Sequence, residues 1–445
     1  KVLDYLEELG ELDDTLVMLV SDNGASAEGG PTGSVDENRF FNNVPESLEE
    51  NLEAMDDLGG PEYFNHYPWG WTWAGNTPFR RWKRESYRGG ASDPLVVSWP
   101  NGIEAEGEVR DQFVHAIDLM PTVLEAVGID PPDEVKGYSQ SPIEGTSFAY
   151  SFDEPDAPEQ HTTQYFEMIA TRAIYHDGWR AVHPWPFGEP ITAEDLSATS
   201  LEDSGWELYN LREDFSEAHD VADEHPEKVL EMAQLWWTEA GRHDVLPLDG
   251  RGVQRFAEAR PQPGKPRDRY VYHPGGQHIP ENAAVKVFNR DHSITADVTV
   301  PEGGAEGVLL AHGSRSGGYS LYVMDDHLRF VHNYVGVEEN EVVADEMLPE
   351  GDVSVRMEFE VTGEVDLANG KGAPGTVRLY YGDRQVGEGE IPVTTPITTG
   401  LTAGLSCGKD SVNAVTDAYR EQTPFAFTGD IARVTVDVSG DAVVA

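Results

Sequence analysis

The change of pattern across a proline-rich segment constrains the fold of this chain more than any other feature. Residues 260–266, Arg-Pro-Gln-Pro-Gly-Lys-Pro, suit neither a helix nor a strand. Helical and strand patterns alternate before this segment, whereas short strand patterns without helices follow it. We therefore predict two parts, residues 1–255 and residues 270–445, joined by a linker at 256–269.

The first part is predicted to be an α/β domain with a small antiparallel subdomain. A long loop is expected at about 24–75, between an early strand and a later one. The predicted elements are the end of an amphipathic helix in 1–12, strands at 15–20 and 95–99, a helical stretch at 113–128 broken by Pro121, strands at 164–168, 173–175, 177–182 and 206–211, and a helix from Pro226 to about Ala240 that stops at Gly241.

The second part is predicted to be an all-β sandwich of jelly-roll type. Its strands are short, alternate apolar with polar residues, and are separated by turns at regular intervals. They are expected at 293–300, 308–311, 319–324, 328–334, 353–361, 377–381 and 431–438.

Polar residues follow the apolar strand Thr15–Val20. Ser21-Asp22-Asn23-Gly24 would place a carboxylate and an amide oxygen at the carboxyl edge of a buried strand, where open α/β sheets build their sites. Two such oxygen donors side by side suit Ca²⁺ or Mg²⁺. The alternative is a strand that simply ends in an Asn-Gly turn.

A basic segment lies at positions 80–88. It holds five of the 31 Lys and Arg residues of a chain that has 81 Asp and Glu and a formal charge of −50. A site for an anionic group would need such a local excess of positive charge. The alternative is that these side chains pair with neighbouring carboxylates.

Several segments in a fixed order carry a resemblance to a known family. They are Ser21-Asp22-Asn23-Gly24, Asn76-Thr77-Pro78-Phe79-Arg80-Arg81-Trp82-Lys83, Ser86-Tyr87-Arg88-Gly89-Gly90, Asp93–Pro100, His115–Thr122 and Gly205–Asn210. Together they resemble the sulfatase (arylsulfatase) family of the alkaline phosphatase superfamily. The glycine-rich segment Gly313–Tyr322 resembles the lectin-like module that often follows this type of domain.

The resemblance implies roles for four residues. Asp22 and Asn23 would bind a divalent metal, usually Ca²⁺, with Mg²⁺ as the other choice, and Lys83 would bind a sulfate oxygen. His66 could line the substrate pocket beside Tyr67 and the nearby tryptophans, although a packed histidine is the alternative.

The family nucleophile is a formylglycine made from Cys or Ser in a Cys/Ser-x-Pro/Ala-x-Arg segment. The single cysteine, Cys407, has no Pro or Arg at that spacing, and we interpret it as a structural residue. The resemblance therefore implies that the chain is the carboxy-terminal part of such a domain, that the nucleophile segment lies elsewhere, and that this part alone is inactive.

The expected function is hydrolysis of a sulfuric ester, either a small molecule or a glycan. The alternatives are a phosphate or phosphonate ester hydrolase of the same superfamily and a non-catalytic glycan-binding protein. The acidic excess argues against nucleic acid and anionic membranes as partners, and it suggests a salt-loving source. No apolar run reaches the roughly 18–20 residues of a membrane span. Compartment, oligomeric state and the identity of the ester stay open.

Overall fold

The computed structural model describes residues 1–60, 63–105, 107–184, 205–249, 267–276, 278–400, 404–410 and 413–440. The chain divides into two compact units, Lys1–Ser26 with Gly70–Ala259, and Ala27–Trp69 with Arg260–Ala445. Most of the predicted linker at 256–269 lies outside the described residues, and the predicted domain boundaries stay a prediction. No helix in the described ranges is both long and apolar enough to cross a membrane.

The first unit combines helices with antiparallel strands. Numbered along the whole chain, its elements are α1 (Val2–Leu9), β1 (Val17–Val20), α4 (Trp69–Asn76), α5 (Arg88–Ala91), β2 (Leu95–Ser98), α6 (Leu119–Val127), β3 (Glu134–Val135), β4 (Tyr138–Ser139), β5 (Thr163–Met168), β6 (Thr171–His176), β7 (Trp179–His183), β8 (Glu207–Asn210) and α7 (Pro226–Arg242). Short 3₁₀ helices lie at Ala116–Asp118 and Ala149–Ser151.

Strand β1 differs from its prediction as a buried strand. It pairs antiparallel with β2, Val20 opposite Leu95, in a sheet of two strands. Leu19 and Val20 are 68% and 44% exposed. Among the described residues, the clusters of fully buried side chains in this unit form around β6–β8, and none includes β1. The apolar sequence of β1 therefore predicted a strand correctly, but it did not predict that the strand is largely exposed.

The predicted small antiparallel subdomain is present as the sheet β5-β6-β7-β8. One face packs its alternate residues, including Ile174 and Leu208, against Trp236 of α7. The other face packs Tyr209 against Tyr87, which belongs to the basic segment. The sheet therefore supports that segment directly.

Two predicted helix details in this unit are wrong. Pro121 does not break a helix, because α6 begins at Leu119 and a first-turn residue needs no intrahelical N–H partner. Gly128 ends α6 in a left-handed conformation, as expected. Helix α7 does not stop at Gly241 but continues to Arg242, since a single glycine costs only about 1 kcal/mol in a helix.

The second unit is mainly antiparallel sheet. Its elements are α2 (Glu37–Phe41), α3 (Leu48–Glu53), β9 (Arg269–Tyr272), β10 (His292–Val300), β11 (Gly307–Ser314), β12 (Gly317–Met324), β13 (His327–Tyr334), β14 (Glu338–Val343), β15 (Gly351–Val361), β16 (Gly375–Tyr381), β17 (Arg384–Ile391), β18 (Leu405–Cys407) and β19 (Asp430–Asp437), with 3₁₀ helices at Met55–Asp57, Leu367–Asn369 and Asp417–Gln422.

Two sheets enclose the main core of this unit. Their strand orders are β17-β16-β15-β10-β19-β9 and β14-β13-β12-β11-β18. Alternate residues of β10, such as Ile294 and Ala296, lie in one apolar cluster with Leu321 and Phe330 of the other sheet. The seven strands predicted after residue 270 are present, and the jelly-roll connectivity stays a prediction.

The segment 27–69 contains helices where a long loop was predicted. Ser47 and Glu50 form a capping box at the start of α3, with hydrogen bonds of 3.2 and 2.8 Å. Buried Asn42 donates to the carbonyl of Thr398 at 2.9 Å and accepts the backbone N–H of Ile397 at 3.0 Å. These bonds fix the segment to the stretch that follows β17 in its own unit.

Candidate active site

The segment after β1 carries the first two predicted site residues. Asp22 is exposed and Asn23 is half-buried. The side-chain nitrogen of Asn23 donates to the carbonyl of Gly24 at 3.0 Å, and its backbone carbonyl accepts the hydroxyl of Ser21 at 3.0 Å. These two bonds do not use the side-chain oxygen of Asn23, which is the atom that would bind a metal.

Asn76 joins this segment to the basic segment. Its Oδ1 accepts the backbone N–H of Ala25 at 2.9 Å, while its Nδ2 donates to the carbonyls of Arg81 at 2.8 Å and Gly89 at 2.7 Å. The backbone N–H of Lys83 donates to the carbonyl of Ala25 at 3.0 Å. The structure therefore brings the Asp22-Asn23 pair and Lys83 together on adjoining segments.

Glycines allow the two segments to approach this closely. The N–H of Gly24 donates to the carbonyl of Gly90 at 3.3 Å. A Cβ atom added to Gly24 would lie 1.7 Å from the carbonyl oxygen of Gly89. Two atoms cannot approach this closely without a shift of the backbone, so only glycine fits at this position. Gly24 is therefore required by close backbone approach.

Two residues near Lys83 adopt an uncommon backbone conformation. Arg81 and Arg84 have φ values of 62° and 80°, in the left-handed region that non-glycine residues rarely occupy. Strain of this kind persists only where the surroundings hold it, and the bond from Asn76 to the carbonyl of Arg81 is one such restraint. The loop that presents Lys83 is thus held in a fixed, strained shape.

Arg80 and Arg88 of the basic segment are used within the fold. Arg80 lies 3.3 Å from the carboxylate of Glu207 and donates to the hydroxyl of Tyr209 at 2.7 Å. Arg88 lies over the ring of Phe215, 4.1 Å from its centroid, and donates to the Phe215 carbonyl at 2.6 Å. Burial, followed by the charge of Arg180, lowers the pKa of Arg88 to about 10. Arg80 therefore pairs with a neighbouring carboxylate, which was the alternative to an anion site in the sequence analysis.

Asp93 is an acidic neighbour of Asp22 that the sequence analysis did not single out. Continuing the β1–β2 register by two residues beyond Val20 and Leu95 sets Asp22 opposite Asp93. Burial, and then the negative charge of Asp22, raise the pKa of Asp93. The sequence contained a signal for Asp93, because Asp93-Pro94 directly precedes the predicted strand at 95–99, which pairs with β1.

The donors at this edge fit a hard divalent cation in part. Carboxylate and amide oxygens are the ligands that Ca²⁺ and Mg²⁺ prefer. Asp22, Asn23 and Asp93 offer these atoms, and the mutual repulsion of the two carboxylates would be relieved by a cation between them. A full Ca²⁺ shell of six to eight oxygens would need further donors.

His66 lies in the other compact unit, where its Nε2 is 3.5 Å from Oε1 of Glu37. Together with Glu28, these residues form a group whose potential ligand atoms lie within 4.8 Å of one another. The role of His66 in a substrate pocket stays a prediction, as do the roles of Asp22, Asn23 and Lys83.

Comparison with known proteins finds a family match in the first part of the chain. The sequence profile of the sulfatase family matches residues 1–129, which include Asp22, Asn23, Lys83 and Asp93. This segment is therefore similar to the sulfatase family. The remaining residues, which include the two large sheets of the second unit, lie outside that match.

Curated sulfatases are similar to this chain over limited lengths. An uncharacterized sulfatase of Schizosaccharomyces pombe is 27% identical over 53% of this chain and 39% of its own length. An arylsulfatase of Klebsiella aerogenes is 26% identical over 33% of this chain and 30% of its own length. An N-acetylglucosamine-6-O-sulfatase of Bacteroides thetaiotaomicron is 23% identical over 53% and 32%. The chain thus spans about a third of the length of these relatives.

Similarity to the sulfatase family implies, in general, a divalent metal and a formylglycine. Cys407 lies outside the matched sulfatase segment, in β18, where it pairs with Leu310 of β11. Burial raises the pKa of its thiol to about 11, which keeps it protonated near neutral pH. These properties agree with its interpretation as a structural residue.

Proposed function

We propose that this chain is part of a sulfuric ester hydrolase of arylsulfatase type. The observation that carries the proposal is the joining of Asp22-Asn23 to the Lys83 loop through Ala25 and Asn76, within the segment that matches the sulfatase family. Cleavage of a sulfate ester develops negative charge on the oxygens around sulfur. A site for this reaction needs fixed positive charge, and a strained loop carrying a lysine supplies it.

Each residue has a distinct role in this proposal. Asp22, Asn23 and Asp93 hold a divalent cation, Ca²⁺ by preference, and Lys83 directs its ammonium at a sulfate oxygen. When bound, the cation supplies further stabilisation of negative charge. Asn76 and Gly24 are positioning residues, because they set the distance between the two segments without offering charge themselves.

The substrate in this proposal carries its sulfate on an aryl or sugar ring. Helix α4 presents Trp71 and Trp73 with 68% and 45% of their surface exposed. Thr72, between them, donates to the carbonyl of Ser26 at 2.9 Å, which ties the helix to the Asp22 segment. Trp73 also contacts Trp82 edge to face at 5.7 Å, next to Lys83. Exposed indole rings so close to the lysine suit stacking on a ring.

The sandwich formed by residues 270–445 is assigned an accessory role in this proposal. We assign it a jelly-roll type of connectivity and, as the lesser of two alternatives, binding of a glycan. The two sheets that share one core support a sandwich, but a fold does not by itself define a ligand.

The test compares lysine variants in the complete gene product that contains residues 1–445. With 4-nitrophenyl sulfate as substrate, Lys83→Ala should lower turnover by at least about a hundredfold, the scale of losing one charge-stabilising donor. Lys228→Ala is the matched control, because Lys228 pairs with Glu231 at the surface of the same unit. Near wild-type turnover in Lys83→Ala would refute the assignment of Lys83.

A second measurement addresses the metal and the class of ester. Asp22→Asn should reduce bound Ca²⁺, measured by elemental analysis after dialysis, and unchanged content would refute that role. Hydrolysis of 4-nitrophenyl phosphate in preference to the sulfate would favour the phosphate ester alternative. Absence of turnover with either ester would leave the glycan-binding alternative in its place.

A further inference from the structure

Three side chains in the second unit, none of them among the proposed ester-site residues, form a cluster. Glu28 and Glu37 are each only 7% exposed, and the side chain of His66 is 15% exposed. One ligand atom from each lies within 4.8 Å of the others. Two carboxylates buried this close to each other repel, and removing their charges from water adds to the cost.

The backbone fixes the three residues in place. Ser34 and His66 exchange two backbone hydrogen bonds of 2.9 and 2.8 Å, and the N–H of Glu37 donates to the carbonyl of Phe64 at 2.8 Å. Gly29, next to Glu28, lies so close to His66 that an added Cβ would be 2.9 Å from the His66 Cβ. The cluster is therefore formed by three separate stretches held against one another.

The distance between His66 and Glu37 is compatible with an ion that both side chains bind. Nε2 and Oε1 are 3.5 Å apart, longer than the 2.7–2.9 Å of a charge-assisted hydrogen bond. Two ligands each about 2.1 Å from a tetrahedral metal lie about 3.4 Å apart. We propose that Glu28, Glu37 and His66 bind a divalent transition metal, with Zn²⁺ as the preferred ion.

One ring nitrogen of His66 has no hydrogen-bond partner among the described residues, and it is not the one that lies 3.5 Å from Glu37. This nitrogen, Nδ1, is fully enclosed. Buried polar atoms in that condition call for a missing water or ion. Rotation of the ring about its χ2 angle exchanges the nitrogen that faces the carboxylates, so either one can serve as the ligand.

The donor set selects the class of metal. One imidazole with two carboxylates suits Zn²⁺, which takes three protein ligands and a water in open sites. Ca²⁺ and Mg²⁺ prefer shells made entirely of oxygen. The role of the ion is structural, because it links the stretch at Glu28 to the paired stretches at Glu37 and His66. This assignment is independent of the proposed ester hydrolysis, and it excludes a direct substrate contact by His66.

The experiment uses the chain of residues 1–445 after removal of metals with a chelator. Zn²⁺ is titrated by calorimetry, and Co²⁺ is added as a spectroscopic probe of tetrahedral coordination. We expect one tight Zn²⁺ per chain and a Co²⁺ absorption band in the visible range. Glu37→Gln and His66→Gln should each weaken Zn²⁺ binding at least tenfold and abolish the Co²⁺ band.

Matched controls separate this site from weak binding to an acidic surface. His327→Gln changes a half-buried histidine at the start of β13 in the same unit and should leave Zn²⁺ affinity unchanged. Asp22→Asn should also leave it unchanged, so failure of the ester-site proposal would not affect this result. Circular dichroism of the metal-free variants checks folding, and Glu28→Gln replaces any variant that does not fold. Equal Zn²⁺ affinity in wild type and all three cluster variants would overturn the proposal.

Discussion

The side-chain oxygen of Asn76 accepts a hydrogen bond of 2.9 Å from the backbone N–H of Ala25, and its nitrogen donates to two carbonyls of the basic segment. These bonds join residues 51 positions apart in the chain. The carbonyls belong to Arg81 and Gly89, on either side of Lys83. The relative position of the two proposed site segments therefore depends on one buried amide.

Asn76→Ala should destabilise the first unit. Removing the side chain leaves three backbone groups without this partner, and each buried unsatisfied group costs about 1–3 kcal/mol. We expect the free energy of unfolding to fall by at least about 2 kcal/mol, measured by urea titration with tryptophan fluorescence. Asn101→Ala is the control, because Asn101 is exposed and should change stability by less than about 0.5 kcal/mol. Equal effects of the two changes would contradict the role of Asn76.

Gly24→Ala should disrupt the same junction by collision. The new methyl group would meet the carbonyl oxygen of Gly89 at 1.7 Å, so one of the two segments must move. We expect a lower thermal unfolding midpoint and, in the complete gene product, weaker turnover of a sulfate ester.

Gly70→Ala is the matched control for this change. Gly70 lies in α4 of the same unit, and an added Cβ meets nothing within 4 Å. Alanine there should leave the midpoint unchanged or raise it, since glycine in a helix costs about 1 kcal/mol relative to alanine. A midpoint equally lowered in both variants would mean that the close approach at Gly24 is not the cause.

The strands of the second unit could be predicted where polar and apolar residues alternate cleanly. Strand β10 was expected at 293–300 and spans His292–Val300. Strands β14 and β17 were missed, because neither shows the alternation of apolar and polar residues that is typical of a strand. Residues 338–341 are Glu-Glu-Asn-Glu, and residues 387–390 are Gly-Glu-Gly-Glu. Their place in the sheets is determined by pairing with β13 and β16, which is a tertiary property.

In the candidate site too, features that depend on neighbouring residues could be predicted, whereas contacts between residues far apart in the chain could not. Asp22, Asn23 and Lys83 were predicted from short motifs and the family resemblance, and their roles stay predictions. The capping box at Ser47 and Glu50 is readable from the sequence as Ser-x-x-Glu. The attachment of Asn42 to Thr398 joins positions 356 apart, and no local pattern indicates it. The metal cluster was missed for the same reason, since His66 lies 29 positions after Glu37 and approaches it only through the pairing with Ser34.

His332, which is buried, and His292, which is half-buried, should make the second unit sensitive to acid. Burial lowers the pKa of His292 to about 4 and that of His332 to about 3, and Nε2 of His332 accepts the backbone N–H of Thr395 at 3.0 Å. The charge of Arg290 lowers the pKa of His292 further and that of Asp291 opposes it, while His292 lowers the pKa of His332. Both rings are therefore neutral in the folded state at pH 7.

The sign of the effect follows from proton binding. Below their ordinary pKa of about 6.5, unfolded histidines take up protons that the folded ones exclude. Stability from these groups is complete above about pH 6.5 and is lost as the pH falls towards 4 and then 3. Denaturant titrations at pH 7 and pH 5 should give a lower free energy of unfolding at pH 5. The decrease should be smaller in His332→Gln, which retains an acceptor for Thr395, and an unchanged decrease would contradict this cause.

Salt should stabilise the whole chain. Its 81 acidic residues outnumber its 31 basic residues, so the folded state carries a formal charge of −50 at pH 7. Self-repulsion at that density opposes the compact state, and ions screen it because the Debye length falls from about 10 Å at 0.1 M to about 3 Å at 1 M. Salt also weakens surface ion pairs such as Arg378 with Glu360. The stability lost in this way should be small, since exposed pairs contribute at most about 1 kcal/mol.

The measurement is the thermal unfolding midpoint between 0.1 and 2 M KCl. We expect the midpoint to rise with KCl, and most steeply below about 1 M, where screening changes fastest. A matched series in potassium acetate separates screening from effects specific to chloride, because both salts screen equally at equal ionic strength. A flat or falling midpoint would contradict stabilisation by screening of the acidic charge.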